Sequence, residues 1–140
     1  MVFTIRAIIE VMGFPEEHIK EVSQKIVEKI KAEDRISIIK ETTHNTEKVK
    51  EQFFSCFIEI EMKVNDLSKL FGFCYDYLPS SIEILDTEKI TMPTREFHFA
   101  INEMLEKLHH YNITVNNIKS AFPNNHKFHS HAPALYSTIL

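Results

Sequence analysis

A chain of 140 residues with 44% hydrophobic and 26% charged side chains has the material for one packed domain, and general disorder is excluded. A formal charge of −4 and a pI near 6.1 exclude a global attraction to nucleic acid or to an acidic membrane surface. Two cysteines, Cys56 and Cys74, make no disulfide framework, and no stretch approaches the roughly 20 apolar residues of a membrane span.

The opening MVFTIRAIIEVMG lacks the basic start and small-residue cleavage site of a secretory leader, so the expectation is a soluble, cytoplasmic protein with reduced thiols. Val2 to Met12 alternates: Phe3, Ile5, Ala7, Ile9 and Val11 share one face, which is the period of a half-buried strand. Gly13 breaks it. Pro15 suits a first helical position, and Glu16 and Glu17 follow at the positive end of the helix dipole. Ile19, Val22, Ile26, Val27 and Ile30 recur with helical spacing to about Ala32.

Arg35 to Thr43 reads as a second strand, and HNTEKVKEQ as a polar connection. Phe53 to Val64 is the clearest strand, with Phe54, Cys56, Ile58, Ile60, Met62 and Val64 on one face. Asn65 or Asp66 can cap a second helix whose apolar stripe is Leu67, Leu70, Phe71, Cys74 and Leu78, and Pro79 stops it. Ser81 to Thr91 is expected as a fourth strand. The order β-α-β-β-α-β predicts a ferredoxin-like α+β domain over residues 1–92, with both helices on one face of an antiparallel sheet. Ile8, Phe53 and Phe57 fall on the opposite face, which the pattern expects to need cover.

Pro93 opens a long third helix. Along it Phe97, Ile101, Met104, Leu108, Tyr111, Val115, Ile118 and Phe122 step by four and three in alternation, an unbroken heptad seam. Such a helix is roughly 39 Å long. Four strands span only about 19 Å. Part of the seam should therefore overhang and seek either another copy of the chain or a helical partner; the competing expectation is a helix folded over the open sheet face. Residues 93–122 are thus read as an oligomerisation arm, and 123–140 as a histidine-containing tail.

The chemistry-bearing groups are sparse. His126, His129 and His131 match no structural metal spacing, and His109 and His110 read as solvated helix residues, so no metal and no cofactor are expected. Cys56 and Cys74 read as small buried hydrophobes without a neighbouring base. Tyr75, Asp76, Ser80 and Ser81 read as a helix-to-strand junction, with a small polar pocket as the alternative. Phe53 and Phe57 could stack on RNA bases, but Glu59 and Glu61 continue their face and would repel phosphate. No catalytic residue is expected, and neither nucleic acid nor membrane is an expected partner.

Two motifs carry a resemblance. The run GFCYDYLPSSIEI, Gly72 to Ile84, and the later INEMLEKLHHYN resemble a family of small archaeal proteins of unknown function. In that family a GFC-aromatic-D-aromatic-x-PSS-x-EI segment precedes a long helix with an N-x-x-x-x-x-LH pattern, which Asn102, Leu108 and His109 match here. The similarity spans residues 2–120, and after Phe122 the chain departs from the family's polar helical continuation. The resemblance implies an archaeal cytoplasmic setting and the two-part architecture, and brings no activity, cofactor or substrate. The GFPEEHI turn also loosely resembles ligand-binding regulatory domains of the ACT type. The expectation that follows is a non-enzymatic assembly or adaptor module working through the seam. The alternative is an ACT-like small-ligand sensor with its pocket at the Gly13–Pro15 turn or between paired sheets, Tyr75, Asp76, Ser80 and Ser81 being the other candidate pocket residues.

Overall fold

A computed structural model describes residues 1–121. Their elements run β1 (Phe3–Gly13), α1 (Glu16–Lys31), β2 (Ile36–Thr43), β3 (Glu47–Lys50), β4 (Phe53–Val64), α2 (Leu67–Tyr77), β5 (Ser81–Ile84) and α3 (Thr94–Ala121). The fold is α+β: a five-stranded antiparallel sheet and a long C-terminal helix. The sheet order is β2-β4-β1-β5, with β3 paired to the start of β4.

Alternation in β1 and β4 sets the core. The two strands pair antiparallel from Phe3↔Val64 to Gly13↔Phe54, so odd residues of β1 and even residues of β4 share one face. Phe3, Ile5, Ala7, Ile9 and Val11 are at most 2% exposed, and Cys56, Ile58, Ile60, Met62 and Val64 are buried opposite them. The expected stripe of α1 lies on this face: Ile19, Val22, Ile26, Val27 and Ile30 are all buried. Ser23, fully buried beside them, donates its hydroxyl to the Ile19 carbonyl at 2.8 Å, which satisfies its polar oxygen. Pro15 is the cap of α1 and Glu16 its first residue.

The α2 stripe differs from the one expected. Asp66 caps the helix by accepting from the Lys69 N–H at 2.8 Å. The buried residues are Leu67, Leu70, Phe73 and Tyr77, with Phe71 and Cys74 only partly covered and Leu78 exposed. Leu78 occupies the left-handed C-cap (φ 43°), which swings it off the helical face. Phe73 and Tyr77 fill the space as stacked rings 5.0 Å apart.

Three further expectations are corrected. The polar connection after β2 contains β3, whose four residues are all exposed; a strand with no buried face leaves no alternating signal. The fourth strand ends at Ile84, not Thr91. The Leu85 N–H still reaches the Thr4 carbonyl at 2.8 Å, but then the Thr87 hydroxyl donates to the Lys89 carbonyl and accepts from the Lys89 N–H. That local turn takes the chain off the sheet. Finally, the sheet face opposite the core needs no helix over it. Arg6 stands at its centre, 3.1 Å from Glu61, 3.2 Å from Glu83 and 3.7 Å from Glu59. The Glu61 hydrogen bond and the three carboxylates hold its guanidinium above the usual arginine range. A face built around charged, hydrated groups can stay in water.

Candidate functional site: the third helix and its groove

α3 is fixed through a narrow contact with α2. Its first turn forms as Pro93 accepts from the N–H groups of Glu96 and Phe97. Ala100 is fully buried and joins the core. One turn pair further on, Lys107 lies over the Tyr75 ring at 5.4 Å and 4.0 Å from Asp76, while the Tyr75 hydroxyl donates to the Lys107 carbonyl at 3.3 Å. Gly72 faces this point; a Cβ there would stand 3.4 Å from Lys107 Nζ. The Met1 amino nitrogen lies 3.5 Å from Glu96, at the end of the sheet where α2 begins. Lys107 reaches the other end of α2, so the two helices run side by side in the same direction.

The eight seam residues do not make that contact as a set. The α3 residues tied to the body are Ala100, buried in the core, and Lys107, over Tyr75; they stand seven positions apart and neither belongs to the seam. Phe97 is 48% exposed, Ile101 36%, Leu108 45% and Tyr111 38%, while Met104, Val115 and Ile118 are half-buried. Leu105, off the seam, is exposed beside them. Phe122 lies outside the described residues. Ala100 and Lys107 were missed as contact residues; the signal was a small residue seven positions before a long one, opposite the one glycine of α2.

On the other flank of the contact, α2 and α3 leave an open groove of about 1000 Å³. Arg35, Asp66 and Lys69 line one end, and Tyr75, Asp76, Glu106 and His110 lie along it. Lys69 is committed to Glu33 and Asp34, at 3.2 and 3.3 Å, and its hydrogen bond and charge hold the Asp34 carboxyl below the usual aspartate range. His109 and His110 line the groove, and among the described residues no three His, Cys, Asp or Glu side chains are grouped to hold a metal ion. The other histidines considered from sequence, His126, His129 and His131, lie outside the described residues.

The residues of the alternative ligand pocket fall in three places. Tyr75 and Asp76 belong to the groove. Ser81 starts β5 and Ser80 precedes it, with the Ser80 N–H bonded to the Ile8 carbonyl at 2.6 Å. Gly13 and Pro15 lie at the end of β1, about 17 Å further along the strand from Ile8. At Gly13 an added Cβ would stand 2.9 Å from Ile19 Cδ1, so α1 closes directly over the turn.

Cys56 is buried and its sulfur contacts the His44 carbonyl at 3.2 Å; burial pushes the Cys74 thiol up, away from the thiolate. Tyr77 is the other perturbed group. Its hydroxyl is buried without a hydrogen-bond partner among the described residues, and burial, with the charges of Glu33 and Asp76, pushes it up to about 12. A phenol whose folded-state pKa exceeds its unfolded value near 10 stabilises the fold below that pH. The contribution is lost as pH rises from about 10 to about 12. Tyrosinate absorbance should therefore show one phenol titrating late, and Tyr77→Phe should flatten the fall in urea midpoint across that window.

The sequence profile of one family covers nearly all of this architecture, matching residues 4–124. The chain belongs to the MJ0538 family. This is an uncharacterised family named after a Methanocaldococcus protein. The MJ0538 match starts inside β1 and runs past Ala121, so α3 is part of the family's unit together with the sheet. No curated protein and no solved structure matches the chain. Among the described residues of this MJ0538 member, no helix is long and apolar enough to cross a membrane.

Proposed function

We propose that this protein is a non-enzymatic assembly or adaptor module that works through α3, by self-association or by binding a partner helix. The observation that carries this reading is a mismatch of lengths and faces. α3 has 28 residues, about 42 Å, and α2 has 11, about 17 Å. The body holds α3 by its Ala100–Lys107 line, and the apolar stripe Phe97, Ile101, Leu105, Leu108 runs beside that line in solvent. An exposed apolar row of this kind, on a helix anchored by its other side, has the form of a coiled-coil seam awaiting its second strand. The family match, which retains α3 in full, supports the same reading. We read the sheet order β2-β4-β1-β5 as a ferredoxin-like plan carrying β3 as an insertion, and the setting as archaeal, as the family's namesake suggests; a cytoplasmic location is part of the same proposal.

Light scattering over a wide concentration range tests the proposal. Wild-type mass should rise with concentration, or a helical partner should co-elute from the native cell. Leu108→Asp places a charge in the middle of the stripe and should abolish either association while leaving the melting temperature of the isolated chain within a few degrees, because Leu108 is already half in water. Unchanged association in that variant would sink the reading.

A further inference from the structure

The α2–α3 groove is separate from the apolar stripe. Two residues along a helix turn by about 200°, so Phe99 and Glu106, which line the groove, face away from Ile101 and Leu108. The groove runs beside α3 from Glu96 to Ile113, a helical rise of about 26 Å. That is the length of roughly eight residues of extended chain. Part of its lining is apolar: Phe99 and Ile113 are each 57% exposed, and Phe71 and Met104 are half-buried. Its charge is left acidic. Asp66 is paired with Arg35 at 3.1 Å, Asp76 lies 4.0 Å from Lys107, and Glu96 is met by the Met1 amine at 3.5 Å. Lys69 is taken by Glu33 and Asp34. Glu103 and Glu106 have no ion pair among the described residues.

We propose that residues 128–136 of this same chain, FHSHAPALY, lie in the groove antiparallel to α3. They fall beyond the described residues, and their length and composition match the groove. Ala121 stands about 12 Å past Ile113 along the helix. Pro123 cannot continue a helix, and Asn124 and Asn125 favour a turn. A reversal over residues 122–125 starts extended chain at the level of Ala121. At about 3.3 Å per residue, against 1.5 Å in the helix, His131 then comes level with Glu106 and Leu135 with Phe99. Both are odd residues, so they share one face of an extended segment. The charges are complementary as well. Residues 122–140 contain no Asp or Glu, and they carry Lys127 and the histidines 126, 129 and 131 toward Glu103 and Glu106. Joined to α3 by a four-residue turn, the segment meets the groove at an effective concentration on the order of millimolar, which a second copy or a separate peptide does not reach.

The chain has no tryptophan, so Leu135→Trp supplies a single reporter in the full-length protein. Its emission should be blue-shifted from that of a hydrated indole and severalfold less quenched by acrylamide, equally at all concentrations over a hundredfold dilution. Phe99→Asp in the same chain should restore the hydrated emission; Phe99 is mostly in water, and circular dichroism checks that the fold is kept. In the chain without tryptophan, Leu135→Asp should shift the Ile113 methyl resonance, a readout that stands even where the indole is too bulky to seat or Phe99→Asp does not fold. Hydrated emission with an unmoved Ile113 resonance overturns the docking. So does a blue shift that fades on dilution, which would give the groove to a second copy, or one indifferent to Phe99→Asp, which would put the segment elsewhere. Leu108→Asp should leave every one of these signals unchanged, so this docking and the α3 association fail separately.

Discussion

Ala100→Asp is expected to detach α3 from the body and to destabilise the chain by about 3–5 kcal/mol, the usual cost of an uncompensated buried charge. Ala100 is fully exposed to protein and not to water, and it lies where α3 meets the core. Along the same helix face among the described residues, the next cation, Lys107, is already over Tyr75 and beside Asp76. Two measurements check the outcome. Urea unfolding should give a lower midpoint, and limited proteolysis should cut between Asp86 and Pro93, where no strand or helix protects the backbone. A variant with wild-type midpoint and an uncut linker would show that the α2–α3 contact is not what holds the long helix.

Phe73→Ala should be as damaging by a different route. Phe73 is among the largest fully buried side chains, stacked on Tyr77 and walled by the central strands. Truncation removes a ring that close-packed neighbours cannot refill, at a cost of about 3–5 kcal/mol. That is a large part of the whole stability of a domain this size. Because Tyr77 loses its stacking partner, tyrosine fluorescence and the late phenol titration should shift together with the urea midpoint. A loss below about 1 kcal/mol would mean that the α2 core face is looser than its burial indicates. Replacing Phe73 with Leu, which keeps most of the volume, should recover much of the loss.

These two residues also mark where sequence reasoning succeeded and where it stopped. β1, α1 and β4 were legible because each has one face in the core and one in water, so periodicity writes burial into the sequence: Ile5, Ile26 and Ile60 are all where the alternation puts them. The α2 stripe was misphased because Leu78 looked like a continuation of the helix, and only its left-handed backbone, a three-dimensional fact, removes it. β3 was invisible because Glu47, Lys48, Val49 and Lys50 bury nothing. On α3 the apolar row was legible, but its orientation was not: α2 takes hold of Ala100 and Lys107, positions whose importance depends on Gly72 in another helix. The three-carboxylate setting of Arg6 was equally hidden, since Glu59, Glu61 and Glu83 come from two strands that only the sheet order brings together.

The side-by-side anchoring of α3 has a mechanical consequence. The helix is gripped near Ala100 and Lys107, while Ala121 lies about 30 Å beyond Ala100. A tilt of ten degrees pivoting at Ala100 would carry the tip by about 5 Å while shifting Lys107, about 10 Å along the helix, by only about 2 Å. Whatever seizes the tip therefore works with a long lever on a short hinge, and strain applied there is delivered to Tyr75 and Asp76, at the very end of α2 from which the chain enters the sheet.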